Sequence, residues 1–350
     1  MKYRKLGKTD TKVSVICLGT MTWGEQNTEK EAQEQMNFAY DKGVNFFDTA
    51  EVYAVPTRKE TYGLTEKYIG NWFKIKKNRE KIILATKVAS KAEDLTWIRE
   101  GGNKLGFDKN NLTKAIEGSL KRLQTDYIDL YQLHWPERRV PKFGKLDFNY
   151  DPHDTNWTGF NDILESLSKF VKEGKILHVG VSNETPWGLM SFLQIAKEKN
   201  LPRMASIQNV YSLVNRVFDT ANSEVSIHEE CGLLAYSPLA GGRLSGKYLN
   251  GANPPNARYT LWGRRFSRHS TERGDKAIKS YMDISKKYEI TPCKMALSFV
   301  NDRPFITSNI IGATTMDQLK ENIDSVNVTL DEGLKKEIEE IHSLDPNPCV

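Results

Sequence analysis

Long apolar runs are missing from this chain. No segment of its 350 residues approaches the ~18 uninterrupted apolar residues that a bilayer crossing needs. The opening MKYRKLGKTD carries charge but not the apolar stretch of a secretory leader. Cysteine is scarce as well. Cys17, Cys231, Cys293 and Cys349 form no C-x-x-C pair and no ladder of spacings, which argues against a disulfide framework or a zinc site and for reduced thiols in a cytoplasmic protein. Nor does charge of one sign gather anywhere: 50 basic and 45 acidic residues leave a net +5 spread along the chain, with no basic arm to clamp nucleic acid. A G-x-G-x-x-G fingerprint is absent too, since LGTMTWG after the first apolar run has the wrong spacing.

What is present is one pattern repeated from end to end. Short β-branched runs, VICLG, NFFD, KIILATK, YIDLYQLH, HVGVSN, ASIQ, LLAYS and SNIIGA, alternate with amphipathic helical stretches. Thr28 and Glu31 form a capping box, with Ala32, Met36 and Ala39 on one face and Gly43 as the stop. Thr185-Pro186 and Thr291-Pro292 each set a capping residue before a proline at the first helical position. No linker or composition break divides the chain. Eight strands alternating with helices predict a single-domain (β/α)8 TIM barrel over residues 1–350, with long βα loops at the C-terminal face. A doubly wound open sheet is the alternative, and the missing glycine fingerprint counts against it.

In such a barrel, sites lie where strands end. Asp48 ends the second predicted strand, Tyr53 follows in its loop, Lys87 ends the third and His134 the fourth. Neighbouring strands lie ~4.8 Å apart, so these four side chains can share one pocket. A phenol titrates near ~10 and donates poorly at neutral pH; an adjacent ammonium favours the phenolate, so Lys87 is expected to lower the Tyr53 pKa, with Asp48 holding the lysine. His134 would bond a substrate oxygen or relay a proton. Singly, each residue also has an ordinary use: a turn former, a packing ring, a solvated cation, a strand end. A metal-dependent hydrolase built on Asp48 and His134 lacks an H-x-H or a second carboxylate cluster, so no metal is expected. In YSPLAGGRLSGKY, Gly241, Gly242 and Gly246 permit close backbone approach, Ser237 offers a hydroxyl and Lys247 a charge, which suits a diphosphate or else an ordinary flexible loop. Arg258, Arg264, Arg265 and Arg268 follow in one long loop, suited to a 2′-phosphate or to a solvated surface.

FDTAEVY, ATKVA, YQLHWP, GVSNET, IQNVYSLVNR, YSPLAGGRLSGKY and IGATTMDQLKENI, in that order over nearly the whole chain, resemble the aldo-keto reductase superfamily. The resemblance is to the bacterial Tas-type reductases and the branch that includes the potassium-channel β subunits. It implies NADPH/NADP+ as cofactor and a small-molecule carbonyl compound as substrate. By position, Tyr53 would be the acid/base, with Asp48, Lys87 and His134 completing a tetrad. Gly19, Thr20, Met21 and Gln26 would flank the nicotinamide, Ser182, Asn183 and Gln208 would hold its carboxamide, and its ring would stack on Tyr211. Tyr236, Ser237, Pro238, Leu239, Ala240, Gly241 and Lys247 would cradle the diphosphate and Arg258 the 2′-phosphate. Gly312, Thr314, Gln318, Glu321 and Asn322 would bind the adenosine end. Trp23 and Trp135, with the stretch from Arg138 to Trp157, would form an apolar substrate wall. The family binds its dinucleotide without a Rossmann domain, in agreement with the missing fingerprint. An NADPH-sensing subunit with little turnover is the alternative reading.

Overall fold

The computed structural model describes residues 1–100, 104–263 and 268–350. Arg264 and Arg265, expected as phosphate-binding or solvated cations, lie outside them. Each predicted β-branched run forms a strand: β3 (Ile16–Gly19), β4 (Phe46–Asp48), β5 (Ile83–Val88), β6 (Ile128–Leu133), β7 (Ile176–Ser182), β8 (Met204–Val210), β9 (Leu233–Tyr236) and β10 (Ile306–Ile311). They pair in parallel in the order β10-β3-β4-β5-β6-β7-β8-β9, and β9 closes onto β10. The architecture is a (β/α)8 barrel.

Two layers of apolar side chains follow from the period of two along a strand. Phe46, Ala85, Leu130, Leu234 and Ile310 fill the barrel interior. Phe47, Leu84, Tyr131 and Ile311 point outward into the larger core beneath the helices. α1 (Glu29–Asp41) starts at the Thr28–Glu31 capping box and buries Ala32, Met36 and Ala39. α2 (Leu64–Lys76), α3 (Lys109–Leu123) and α4 (Phe160–Lys172) continue the ring. α5 (Pro186–Lys199) begins with Thr185 accepting from the Gly188 N–H. α6 (Asn222–His228) precedes β9, and α7 (Arg258–Trp262) and α8 (Glu272–Lys287) lie in the long excursion after it. α9 (Pro292–Asn301) starts at the Thr291 cap; α10 (Met316–Asp324) and α11 (Glu332–Leu344) complete the chain.

The sequence pattern did not announce β1 (Tyr3–Lys5) and β2 (Lys12–Ser14), an antiparallel hairpin whose strands are too short to display alternation. It plugs the N-terminal end of the barrel. Leu6 and Val13 pack into the interior cluster, and the Ser14 N–H donates to Asn45 Oδ1 at 2.7 Å. Gly7 lies so close to the Ala205 carbonyl, at φ 59°, that a side chain has no room. With that end closed, a ligand is expected at the C-terminal mouth.

Candidate active site

Alternation along three adjacent strands assembles the site. Phe46 faces the interior, so Asp48 does; Ala85 does, so Lys87 does; Leu130 does, so Gln132 and His134 do. Lys87 is fully buried, and its ammonium donates to Asp48 Oδ2 at 2.6 Å, to the Thr49 carbonyl at 2.7 Å and to Tyr53 Oη at 3.5 Å. Those three bonds use every proton it carries. The other carboxylate oxygen of Asp48 accepts from Gln132 Nε2 at 3.2 Å and Gln208 Nε2 at 2.8 Å. The Tyr53 ring meets the His134 ring edge-on, with centroids 5.8 Å apart.

Charges follow from this packing. Desolvation works to lower the Lys87 pKa, but Asp48 and Tyr53 outweigh it and the net shift is upward, so the lysine is an ammonium. Desolvation, seconded by the Lys87 charge, drives His134 well below 6.5 and leaves a neutral imidazole. Its Nδ1 is buried and has no hydrogen-bond partner among the described residues. The expectation for Tyr53 needs correcting. Burial raises its pKa; Lys87 pulls it down and Asp48 pushes it up again, and the net direction is above 10 rather than below. The phenol is therefore protonated at neutral pH. Lys87 limits the rise without reversing it.

Several residues expected around the nicotinamide do stand beside the tetrad. The Thr20 N–H and hydroxyl both bond the Asp48 carbonyl, at 3.2 and 2.9 Å. Gly19 packs against Ile310 and Ile311 too tightly for a side chain, and Met21 packs on the cluster around Tyr53. Asn183 donates to the His134 carbonyl at 2.9 Å and to Ser182 Oγ at 3.1 Å, and accepts from the Tyr236 hydroxyl at 2.6 Å.

Two expectations, those for Tyr211 and Trp23, are corrected. Tyr211 offers no stacking face: its ring is fully buried between Phe299 and Phe305, and its hydroxyl donates to Asp219 at 2.9 Å. Counting by twos from Gln208 places it on the helix side of β8. Tyr236, two residues beyond the interior Leu234, is the ring that reaches the mouth. Gln208 gives its amide protons to Asp48 and Gln132, so it buttresses the carboxylate. Trp23 is buried in the outer core with its indole N–H on Gln35 Oε1 at 3.1 Å, away from any substrate wall. Gln26 reaches across to the Asn256 carbonyl at 2.9 Å, latching the first loop to the excursion that carries Arg258.

Trp135 keeps its place at the mouth. It packs 4.8 Å from the His134 ring and 6.3 Å from Phe143, and joins Met21, Val55, Tyr62 and Trp97 around the Tyr53 cluster.

Beyond β9 the backbone turns repeatedly into positive φ, at Ser237 (56°), Ala240 (49°), Gly241 (66°) and Gly242 (94°). The turn is held by its own backbone, with the Ala240 N–H on the Ser237 carbonyl and the Gly242 N–H on the Leu239 carbonyl, both at 2.8 Å. A side chain at Gly241 would strike Tyr259, and one at Gly242 would meet the Lys247 ammonium at 3.3 Å. Burial and then Arg258 hold the Lys247 pKa down, and burial likewise lowers Arg258, with Arg268 adding to it. A phosphate between these cations would relieve both. Arg268 lies 5.8 Å over the Tyr236 ring.

Past β10 the side chains expected at an adenosine hold the loop in shape. Gln318 Oε1 accepts from the Thr314 N–H at 2.9 Å, Asn322 donates to the Gly312 carbonyl at 3.1 Å, and Glu321 accepts from Thr291 at 2.5 Å. A side chain at Gly312 would meet open space. Among the described residues no three metal-ligating side chains cluster, and no helix is long and apolar enough to cross a membrane.

Closed barrel, buried lysine–carboxylate pair and adjacent phenol define a barrel oxidoreductase, and the chain belongs to the Aldo/keto reductase family, whose model matches residues 15–345. Its members are enzymes of carbonyl oxidoreduction that work with a nicotinamide cofactor. Across its full length the chain is 45% identical to the Escherichia coli (strain K12) protein called Protein tas, over 350 residues that cover 100% of each. An Aldo-keto reductase of Babesia bovis is 41% identical over 277 residues, 75% of this chain and 96% of that one. The Bacillus subtilis protein named Uncharacterized oxidoreductase YrpG is 33% identical over 345 residues, 97% of this chain and 96% of its own.

Two contributors escaped sequence reading, Gln132 and the Thr49 carbonyl. The signal for Gln132 was its place between Leu130 and His134 on one strand face. A backbone acceptor such as Thr49 leaves no signal in residue identity.

Proposed function

We propose that the chain, acting as one domain in the cytoplasm, reduces an aldehyde or ketone to its alcohol with NADPH, and that Tyr53 donates the proton. The observation that carries the reading is the Lys87 ammonium set 2.6 Å from Asp48 and 3.5 Å from the Tyr53 hydroxyl. Bound at the mouth, the reduced nicotinamide supplies the hydride. The substrate carbonyl oxygen gains negative charge as its carbon is reduced, and the Tyr53 O–H transfers its proton there and closes the alcohol. Lys87 stabilises the tyrosinate left behind, and Asp48 keeps that ammonium aimed. Neutral His134 hydrogen-bonds the substrate oxygen and orients it. Gln132 and Gln208 fix Asp48, so little needs to move during proton transfer.

Tyr236 is the ring on which the nicotinamide would stack, with Ser182 and Asn183 beside it. The diphosphate would lie in the Ser237–Gly242 turn near Lys247. Arg258, with Arg268 nearby, favours the 2′-phosphate of NADPH over NADH. Trp135, Met21 and Val55 present an apolar flank for the substrate carbon skeleton. Fluorescence titration with NADPH and NADH, followed by turnover on aldehydes, α-dicarbonyls and quinones, tests the reading. Tighter binding of NADPH and its oxidation by at least one carbonyl class are expected. Failure to bind either nucleotide would refute the reading, and tight binding without turnover would turn it into a sensing subunit.

A further inference from the structure

Glu51 lies between Asp48 and Tyr53 in sequence, is fully buried, and takes no part in the chemistry above. Its backbone N–H donates to the Lys87 carbonyl at 3.1 Å. Its carboxylate reaches the same strand end by another route, accepting the Ala89 N–H at 2.6 Å. Arg99, itself 5% exposed, clamps that carboxylate with two bonds of 2.9 Å, Nη1 to Oε2 and Nη2 to Oε1. Arg99 Nε then donates to Asn111 Oδ1 at 3.1 Å, which anchors the fork to the first turn of α3. Ala50, Val52, Ala89, Leu95, Ile98 and Leu105, several of them sequence neighbours of the fork, form one buried apolar cluster with Tyr53.

We infer that Glu51 and Arg99 are a positioning pair that sets the distance between the Tyr53 hydroxyl and the Lys87 ammonium. Tyr53 rides on a loop, whereas Lys87 rides on a barrel strand. Glu51 is the side chain that ties that loop to the strand end just beyond Lys87. At 3.5 Å the Tyr53–Lys87 contact stands at the outer edge of hydrogen bonding, so a small shift of the loop weakens it steeply. A buried, bidentate guanidinium–carboxylate fork is directional and resists such a shift. Neither residue touches the reacting atoms, so their effect runs through Tyr53. The inference rests on the proposed role of Tyr53 as proton donor.

The test uses the full chain and the double variant Glu51→Gln/Arg99→Met, which removes both charges and so avoids leaving one buried alone. With an active carbonyl substrate, kcat is expected to fall about 10²-fold, the loss that ~1 Å of misplacement brings. NADPH affinity should stay within about threefold, and the alkaline limb of the kcat profile should move to higher pH as Tyr53 loses the Lys87 field. Asn111→Ala, which removes the outer anchor of Arg99 along with Asn111's own bonds to the Lys104 carbonyl and the Asp108 carboxylate, should show the same pattern at about three- to tenfold, and it serves if the double variant does not fold. Full kcat with an unmoved alkaline limb in a folded variant would overturn the inference, as would a kcat loss that only tracks the fraction unfolded. Tyr53→Phe separates the two levels: if it keeps full turnover the functional reading fails, whereas its inactivity beside a fully active double variant sinks the positioning pair alone.

Discussion

The two ends of the barrel mouth are built on opposite plans. At the Tyr53 end every proton of the lysine is spent on an acceptor, and the carboxylate it meets accepts from two glutamines. At the Lys247 end half-buried cations sit beside a backbone full of positive φ, and burial and like charge both push Lys247 down. The difference teaches where organisation is completed by the fold and where it is left for a ligand. A proton donor works only if it is aimed before substrate arrives, whereas phosphate groups can bring the compensating charge themselves.

Breaking the first end should cost the most. Lys87→Met removes the group that most lowers the Tyr53 pKa and the cation that steadies its conjugate base. We expect kcat to fall about 10²- to 10⁴-fold, with the alkaline limb of the pH profile displaced upward. Steady-state kinetics across pH 6–11 checks both. Asp48→Asn leaves the Lys87 ammonium buried without its counter-charge and should destabilise the fold by about 3–5 kcal/mol, read from urea unfolding.

At the second end the loss should fall on affinity. Lys247→Met or Arg258→Met deletes a charge-assisted contact worth about 1.5–3 kcal/mol, or about 10- to 100-fold in NADPH dissociation constant, with kcat at saturation preserved. If kcat falls instead and affinity holds, the contrast between the two ends is lost. Gln26→Ala cuts only the latch to Asn256. A neutral bond of about 0.5–1.5 kcal/mol corresponds to about two- to tenfold weaker cofactor binding, seen chiefly in a faster release rate.

A pH effect sharpens the same comparison from both sides. His134 and, near the second end, His269 are held below their ordinary value by desolvation, the latter to about 3. The unfolded chain then takes up protons that the folded one refuses. Their contribution to stability is complete above ~6.5 and is lost as pH falls below it, at up to about 1.4 kcal/mol per pH unit per histidine. Replacing either by Gln should flatten the acid slope of a denaturation series by up to one proton, provided the fold persists.

Much of this was legible in the sequence because strand alternation carries position as well as secondary structure. Phe46-Phe47-Asp48 and Ala85-Thr86-Lys87 state which side chains face inward, and the barrel then brings them together. The same count applied to Gln208 and Leu234 separates Tyr211 from Tyr236, although both precede a serine after a strand. Resemblance of motifs alone pointed to Tyr211, whose ring is buried. Trp23 misled because an aromatic in a mouth loop looks alike whether it turns to the ligand or down to Gln35. The degree of burial was less legible. The direction of the Tyr53 pKa depends on how far water is excluded around a buried phenol, and residue identity does not encode that. The Glu51–Arg99 pair lies 48 residues apart in sequence, and its meeting rests on the loop geometry of the folded mouth.

The most direct test is a single-turnover comparison of the wild-type chain with Tyr53→Phe, both saturated with NADPH and mixed with a reducible carbonyl. Proton donation by Tyr53 requires the rate of NADPH oxidation to drop at least about 10²-fold in the variant while the cofactor dissociation constant stays the same. Equal rates in the two proteins would contradict it.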